Sequence, residues 1–226
     1  MYIGHFAPAL AAGAASPDAP RLGTLFVAAQ LVDLAFFAFV IVGVEHMRVV
    51  PGITAMNPMD LYHMPYTHSL LATALWAAGF GLIVWRLLRS VAAGAWAALV
   101  VVSHWFIDLL VHRPDLTLAG HPPKLGLGLW DWPLVEMPLE LGLTGLAFWF
   151  FLSRTRGPVG PPLILLAVML LFQAINWFGP QPYRYSVALP LAALVSYAIL
   201  IALARWVGTT RRHKHAAGLA MGSYRR

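Results

Sequence analysis

Residues 92–112 read AAGAWAALVVVSHWFIDLLVH, and this stretch is long and apolar enough to cross a bilayer as a helix. Two ionisable side chains stand inside it, His104 and Asp108. Their i, i+4 spacing points both side chains at one spot on a helix. Because an ionisable group in hydrocarbon is costly, an intramembrane His or Asp indicates a functional site. The stretch therefore predicts a membrane span with chemistry on one face.

The rest of the chain has the same character. Of its 226 residues, 60% are hydrophobic and only 11% are charged, against ~25% charged in a soluble domain. Apolar segments of about the length of a span cover 22–45, 68–88, 92–112, 134–152, 162–178 and 187–207. With a short apolar N-terminal helix that turns back near 16–20, they predict an all-α polytopic transmembrane bundle. The bundle would occupy residues 1–207, followed by a disordered basic cytoplasmic tail at 208–226.

Composition and charge exclude several classes of protein. The absence of Cys excludes disulfides, thiolate zinc sites and cysteine nucleophiles. The net charge of +6 does not indicate a nucleic-acid partner, because membrane topology explains the basic residues. Eleven of the fifteen Lys and Arg residues fall on one predicted side of the membrane, which the positive-inside rule places in the cytoplasm with the C-terminus. The site would open away from the cytoplasm.

Three separate segments carry a ligand-type residue to one depth. His5, Asp33 and His104 each lie about 13 residues from a predicted cytoplasmic turn, or ~20 Å along a helix. Asp108 lies one turn higher, and His68 lies near the top of its helix. Helical bundles build metal sites from such facing side chains. The predicted ligands of a divalent metal are His5, Asp33, His63, His68, His104 and Asp108, and the alternative for His63 is an interfacial residue.

Other polar residues have weaker patterns. A lone His5 could instead bond a neighbouring helix, and Asp33 could be a packing carboxylate. Glu136 and Glu140 share one helix face, and Glu140 is the candidate general base. Gln173 is expected to bond across helices. Glu45, His46 and His112 lie at predicted helix ends, where interface roles are common.

The motifs resemble those of bacterial inner-membrane, membrane-bound metal-dependent hydrolases, a family typified by an SOS-regulated enterobacterial protein. That family has a Gly-His near the N-terminus, then Pro-Asp-x-Asp, His-Arg-Gly-x-Thr-His-Ser and Ser-His-x-x-x-Asp. Over about residues 1–115 the corresponding residues are Gly4-His5, Asp33, His63 with Thr67-His68-Ser69, and Ser103-His104 with Asp108. The resemblance implies a metal-dependent hydrolase in a bacterial cytoplasmic membrane.

Departures from the family pattern affect the ligand count. Val32 replaces the Pro, and Ala35 replaces the second Asp. Met64-Pro65 replaces Arg-Gly. A site for two metal ions would then need Glu45 or Asp60 to supply the missing carboxylate.

These observations favour metal-assisted hydrolysis of an ester or phosphoester in an amphiphilic, lipid-like substrate. Imidazole and carboxylate ligands without thiolate suit Zn²⁺, with Mn²⁺ or Mg²⁺ as alternatives. Membrane lipid and an amphiphilic small molecule would be the partners. A proton- or metal-ion-coupled transporter could use the same side chains, although a conduit needs polar residues through to the cytoplasmic face. A scaffold protein whose polar residues only lock helices together is a third possibility.

Overall fold

The computed structural model describes residues 1–214, which form a bundle of seven helices. A 3₁₀ turn at Ile3–Phe6 leads into α1. Helices α2 to α7 are each long and apolar enough to cross a membrane. The predicted all-α bundle with six spans and a short N-terminal helix is confirmed, and the chain is an integral membrane protein. The helices are α1 Ala7–Ala15, α2 Leu22–Ile41, α3 Leu70–Leu88, α4 Val91–Val111, α5 Pro133–Arg154, α6 Gly160–Phe178 and α7 Ala188–Thr210.

Three short antiparallel strand pairs join the connecting segments, and the hydrophobic pattern did not predict them. The longest pair and one two-residue pair lie at the end of the bundle where residues 42–69 and 112–132 connect the helices. We call this end the loop end. The third pair closes the opposite end of the bundle. The pairs are β1 His46–Val49 with β2 Met59–His63, β3 Leu116–Thr117 with β4 Lys124–Leu125, and β5 Thr155–Arg156 with β6 Arg212–His213.

Two predicted boundaries are corrected. The first span ends at Ile41 rather than at residue 45, because Gly43 takes a left-handed conformation with φ +76°, which is typical of helix ends. Helix α7 continues to Thr210, beyond the predicted boundary at 207. The guanidinium of Arg211 then donates to the carbonyls of Gly157 and Pro158 at 2.7 and 2.9 Å.

The first residues of the predicted tail are therefore part of the fold. Arg212 pairs with Arg156 in the third strand pair, and the His213 ring lies 2.9 Å from the carbonyl oxygen of Ala14. The prediction of disorder is wrong for 208–214. Residues 215–226 lie outside the described residues, so the prediction for them stays a prediction.

The short helix α1 lies inside the bundle. Leu10 is fully buried, and Phe6 stacks on Phe26 of α2 at 4.5 Å between ring centres. Helices α3 and α4 approach each other through Gly81 and Gly94: a Cβ on either glycine would lie 2.9 or 2.6 Å from the other's carbonyl oxygen. Small residues permit such contacts between membrane helices. This packing places α1, α2 and α4 around one interior.

Candidate metal centre

Five of the six predicted ligands meet at one buried position toward the loop end. Two sets of three ligand atoms lie within 4.8 Å of one another, and both sets include His104. His5 lies in the 3₁₀ turn and Asp33 in α2. His68 lies two residues before the start of α3, and His104 and Asp108 lie in α4. The sets are His5, His104 and Asp108, and Asp33, His68 and His104.

Four atoms have the spacing of ligands around a single ion. Asp33 Oδ1 lies 3.3 Å from His68 Nε2 and 3.6 Å from His104 Nε2. Asp108 Oδ2 lies 3.6 and 3.1 Å from the same two nitrogens. Ligand atoms about 2.1 Å from a tetrahedral zinc are about 3.4 Å from one another. Each of these four imidazole–carboxylate distances is close to that spacing.

Hydrogen bonds behind two of the rings decide which nitrogen carries a proton. His104 Nδ1 lies 2.8 Å from the carbonyl oxygen of Ala29, which can only accept, so Nδ1 donates. His68 Nδ1 lies 2.8 Å from Thr67 Oγ1, whose hydroxyl donates to Glu45 Oε2 at 2.6 Å. The hydroxyl oxygen therefore accepts from His68 Nδ1. In the neutral rings, both Nε2 atoms are left with a lone pair.

Two of these inward-facing atoms have no hydrogen-bond partner in the described part of the chain. His104 Nε2 and Asp108 Oδ2 are 3.1 Å apart, yet neither makes a hydrogen bond, and their residues are 1% and 2% exposed. A buried polar atom left unpaired costs about 1–3 kcal/mol. A cation between the two lone pairs removes this cost. The residues present therefore fit a divalent metal.

His112 is a further ring at the centre, and the sequence interpretation assigned it to an interface. Its Nε2 lies 3.3 Å from Asp108 Oδ1, and its Nδ1 lies 2.9 Å from Asp115 Oδ1. Burial disfavours the charged ring, but the two carboxylates outweigh burial and raise the pKa of His112 to about 9. A metal ion at Nε2 would take the place of the second ring proton, whose charge these two carboxylates stabilise. The i, i+4, i+8 spacing of His104, Asp108 and His112 was the signal that could have found it.

The structure places His63 apart from the other five predicted ligands. It is exposed at the end of β2, where its ring stacks on His46 with centres 5.5 Å apart. Neither suggested replacement carboxylate reaches the centre as a free ligand. Glu45 Oε1 accepts from the backbone N–H of Tyr66 at 2.8 Å, and Asp60 is paired with two guanidinium groups, those of Arg48 and Arg113.

Glu140 holds the N-terminal segment in place. Its Oε1 accepts from the backbone N–H groups of Tyr2 at 2.6 Å and Gly4 at 2.9 Å. Its Oε2 accepts from the side chain of Gln173 at 2.8 Å, which is the cross-helix bond expected for that residue. Since both oxygens are engaged, the geometry assigns Glu140 to the positioning of His5 rather than to the predicted role of general base.

A cavity of about 200 Å³ adjoins the cluster and is lined by His5, Asp33, His68, Asp108 and His112. Glu136 also lines this cavity, and its buried Oε2 has no hydrogen-bond partner among the described residues. Tyr2 is a further lining residue. Burial raises the pKa of its phenol to about 12, so it stays neutral near pH 7. Glu136 is thus the carboxylate of α5 that is available to the cavity.

The fold and the centre together define an integral membrane protein with a buried His/Asp cluster able to hold a metal ion. No protein-family model, curated protein or solved structure matches the chain. The family resemblance therefore depends on the motifs themselves.

Proposed function

We propose that the protein is a membrane-bound, metal-dependent hydrolase. The observation that carries this proposal is the unpartnered pair of His104 Nε2 and Asp108 Oδ2, 3.1 Å apart in the interior. Asp33 and His68 complete the four-atom set around it. Two imidazoles and two carboxylates without thiolate suit Zn²⁺, with Mn²⁺ or Mg²⁺ as alternatives.

The chemistry divides between the metal and the chain. A divalent ion lowers the pKa of a water that it binds and polarises a carbonyl or phosphoryl oxygen. Glu136 Oε2 lies on the same cavity and, when ionised, would accept a proton from a water beside the cluster. Thr67 and the carbonyl of Ala29 keep the rings of His68 and His104 in the metal-binding tautomer. Tyr197 donates to Asp33 Oδ2 at 2.8 Å and leaves Oδ1 for the ion.

The size and location of the cavity support an amphiphilic substrate. Sites for whole small molecules have volumes of about 300–1,000 Å³, whereas this cavity has about 200 Å³. It can admit one ester or phosphoester group while the apolar part of the substrate stays outside in lipid. Met56, Pro58 and Pro182 from the loop end contribute to its wall, so the reacting group would enter from that end.

On α1, α2 and α4 of the described chain, the buried side chains between the cluster and the opposite end are almost all apolar, which disfavours the transporter alternative. Beyond the cluster, α1 buries Ala9, Leu10 and Ala12. On α4, Ala97, Val100 and Val101 are buried. On α2, between Leu22 and Asp33, the buried side chains are apolar except for Gln30. A proton or ion path would need more groups of this kind.

Metal content tests the proposal and separates it from a non-enzymatic scaffold. The protein purified in detergent without chelator should retain at least one divalent ion per chain, measured by inductively coupled plasma mass spectrometry. His104→Ala and Asp108→Ala should each lose that ion. The matched control is His63→Ala, which removes an exposed ring outside the cluster and should retain full metal.

Activity is then assayed with fluorogenic esters and phosphoesters that carry acyl chains, presented in mixed micelles. Turnover should depend on the metal and be absent in His104→Ala. A folded wild-type protein that binds no divalent ion after incubation with Zn²⁺, Mn²⁺ and Mg²⁺ would leave the scaffold explanation in place. Metal retention without turnover on either substrate class would contradict the hydrolase assignment alone.

A further inference from the structure

The two oxygens of Asp108 face different pairs of histidines. Oδ2 lies 3.6 Å from His68 Nε2 and 3.1 Å from His104 Nε2. Oδ1 lies 2.9 Å from His5 Nε2 and 3.3 Å from His112 Nε2. A single metal ion beside Oδ2 would use His68 and His104. The rings of His5 and His112 would then still point at Oδ1.

We infer that the protein holds a second metal ion, bound by His5, His112 and Asp108 Oδ1, with the Asp108 carboxylate bridging the two ions. This inference rests on the proposed metal centre and extends it. It assigns His112 as a ligand and gives His5 a position separate from the set formed by Asp33, His68 and His104.

The surroundings of His112 match those of a metal ligand. Metal-binding histidines usually donate their other ring nitrogen to a carboxylate or carbonyl group, which fixes the tautomer. The Nδ1 of His112 is 2.9 Å from Asp115 Oδ1, and Asp115 is itself buried. With the proton on Nδ1, His112 Nε2 presents a lone pair to Asp108 Oδ1. This is the same arrangement that Ala29 imposes on His104.

The ring of His5 is placed for the same ion. It is 2% exposed and stacks on His104 with ring centres 3.9 Å apart and planes inclined by 11°. The backbone just before His5 is held in place, because Gly4 N–H donates to Glu140 and Ile3 N–H donates to Gln173. The 3₁₀ turn therefore delivers a rigid ligand rather than a mobile terminus.

The two positions differ in how many ligands the chain supplies. The first has four, from Asp33, His68, His104 and Asp108 Oδ2, so a water there would be a fifth ligand. The second has three, and a metal with three protein ligands keeps a position for water or substrate. His5 and His112 both line the 200 Å³ cavity. Asp33 and His68 line the same cavity, so both positions face it, and the second position has the more open coordination.

Metal stoichiometry and X-ray absorption test this arrangement directly. Protein saturated with Zn²⁺ and freed of excess metal should contain two ions per chain. The zinc-edge spectrum should show a metal–metal vector at about 3.5–4 Å, the separation common in two-metal sites. His112→Ala should contain one ion and lack the vector. His121→Ala is the control, because His121 is an exposed ring at the loop end, and it should keep both.

The outcomes separate this inference from the proposed function. One ion per chain in saturated wild-type protein, with no metal–metal vector, overturns the second position and leaves the mononuclear hydrolase intact. No ion at all overturns both. The wild-type spectrum decides the matter even if His112→Ala fails to fold.

Discussion

Glu136 and Glu140 lie one turn apart on α5, and their surroundings differ. Glu140 accepts two backbone N–H groups and one side-chain amide. Glu136 Oε2 has no such partner among the described residues, although the side chain is 1% exposed. A carboxylate that accepts a proton during a reaction must have a free oxygen at the cavity. Spacing alone could not distinguish the two, because both occupy the same helix face.

Glu136→Gln should retain wild-type metal content and lower kcat by about 10²–10⁴-fold, the usual contribution of a general base. Turnover and metal content are measured on the same preparation. Glu140→Gln is the comparison: it keeps the shape but weakens the hold on Tyr2 and Gly4, so it should lower metal content as well. Full turnover in Glu136→Gln would contradict the assigned role.

The hydroxyl of Thr67 connects His68 to Glu45, and its removal tests the support behind a ligand. Thr67→Val should weaken metal binding by about 10–100-fold, the typical effect of losing such an outer partner. Thr67→Ser keeps the hydroxyl and should bind metal as wild type. Competition with a calibrated chelator gives both affinities. Equal affinities for Thr67→Val and Thr67→Ser would show that the ring of His68 needs no such support.

At the scale of elements, hydrophobic length predicted the spanning helices and not the strands. Stretches of about twenty apolar residues have one stable arrangement in lipid, so α2 to α7 followed from composition. Strands β1 and β2 lie outside these stretches, and their pairing depends on long-range contacts that periodicity does not report. The separation of His63 from the cluster has the same origin. His63 is five residues from His68, but it ends β2 with an exposed ring, whereas the ring of His68 is buried.

The contact between α3 and α4 depends on the absence of side chains at two positions. A Cβ added at Gly94 would lie 2.6 Å from the carbonyl oxygen of Gly81. Gly94→Ala should therefore lower the thermal unfolding midpoint in detergent, with a cost of about 1–3 kcal/mol typical of overpacking. Gly79→Ala is the control, since nothing lies within 4 Å of its added Cβ. An unchanged midpoint for Gly94→Ala would mean that the helices separate without cost.

For the whole molecule, the sequence predicted the depth in the membrane of each proposed ligand. It did not predict the direction in which each side chain points from its helix. Counting residues from the turns placed His5, Asp33 and His104 in one layer, and the structure brings Asp33 Oδ1 to 3.6 Å from His104 Nε2. The rotation of each helix depends on packing, which the sequence does not state. The sequence therefore did not show that His112 and Glu136 face the cavity.

The orientation of the bundle is testable because the chain has no Cys. Lys124 lies at the loop end and Arg156 at the opposite end, and both are exposed. The excess of Lys and Arg at the Arg156 end predicts that this end faces the cytoplasm. In spheroplasts, a membrane-impermeant maleimide should label Lys124→Cys at once and Arg156→Cys only after lysis. The reverse pattern would invert the protein and open the cavity to the cytoplasm.

The anchoring of the N-terminal turn by late helices constrains how the protein is made. Gly4 bonds a residue 136 positions later, and Ile3 bonds one 170 positions later. Translation proceeds at about 5–20 residues per second, so the turn waits roughly ten to thirty seconds for its partners. The nascent chain exposes Asp108 and His104 to the membrane insertion machinery before His5 can be fixed beside them. We therefore expect the His/Asp cluster to be completed late in biogenesis, after α6 has left the ribosome.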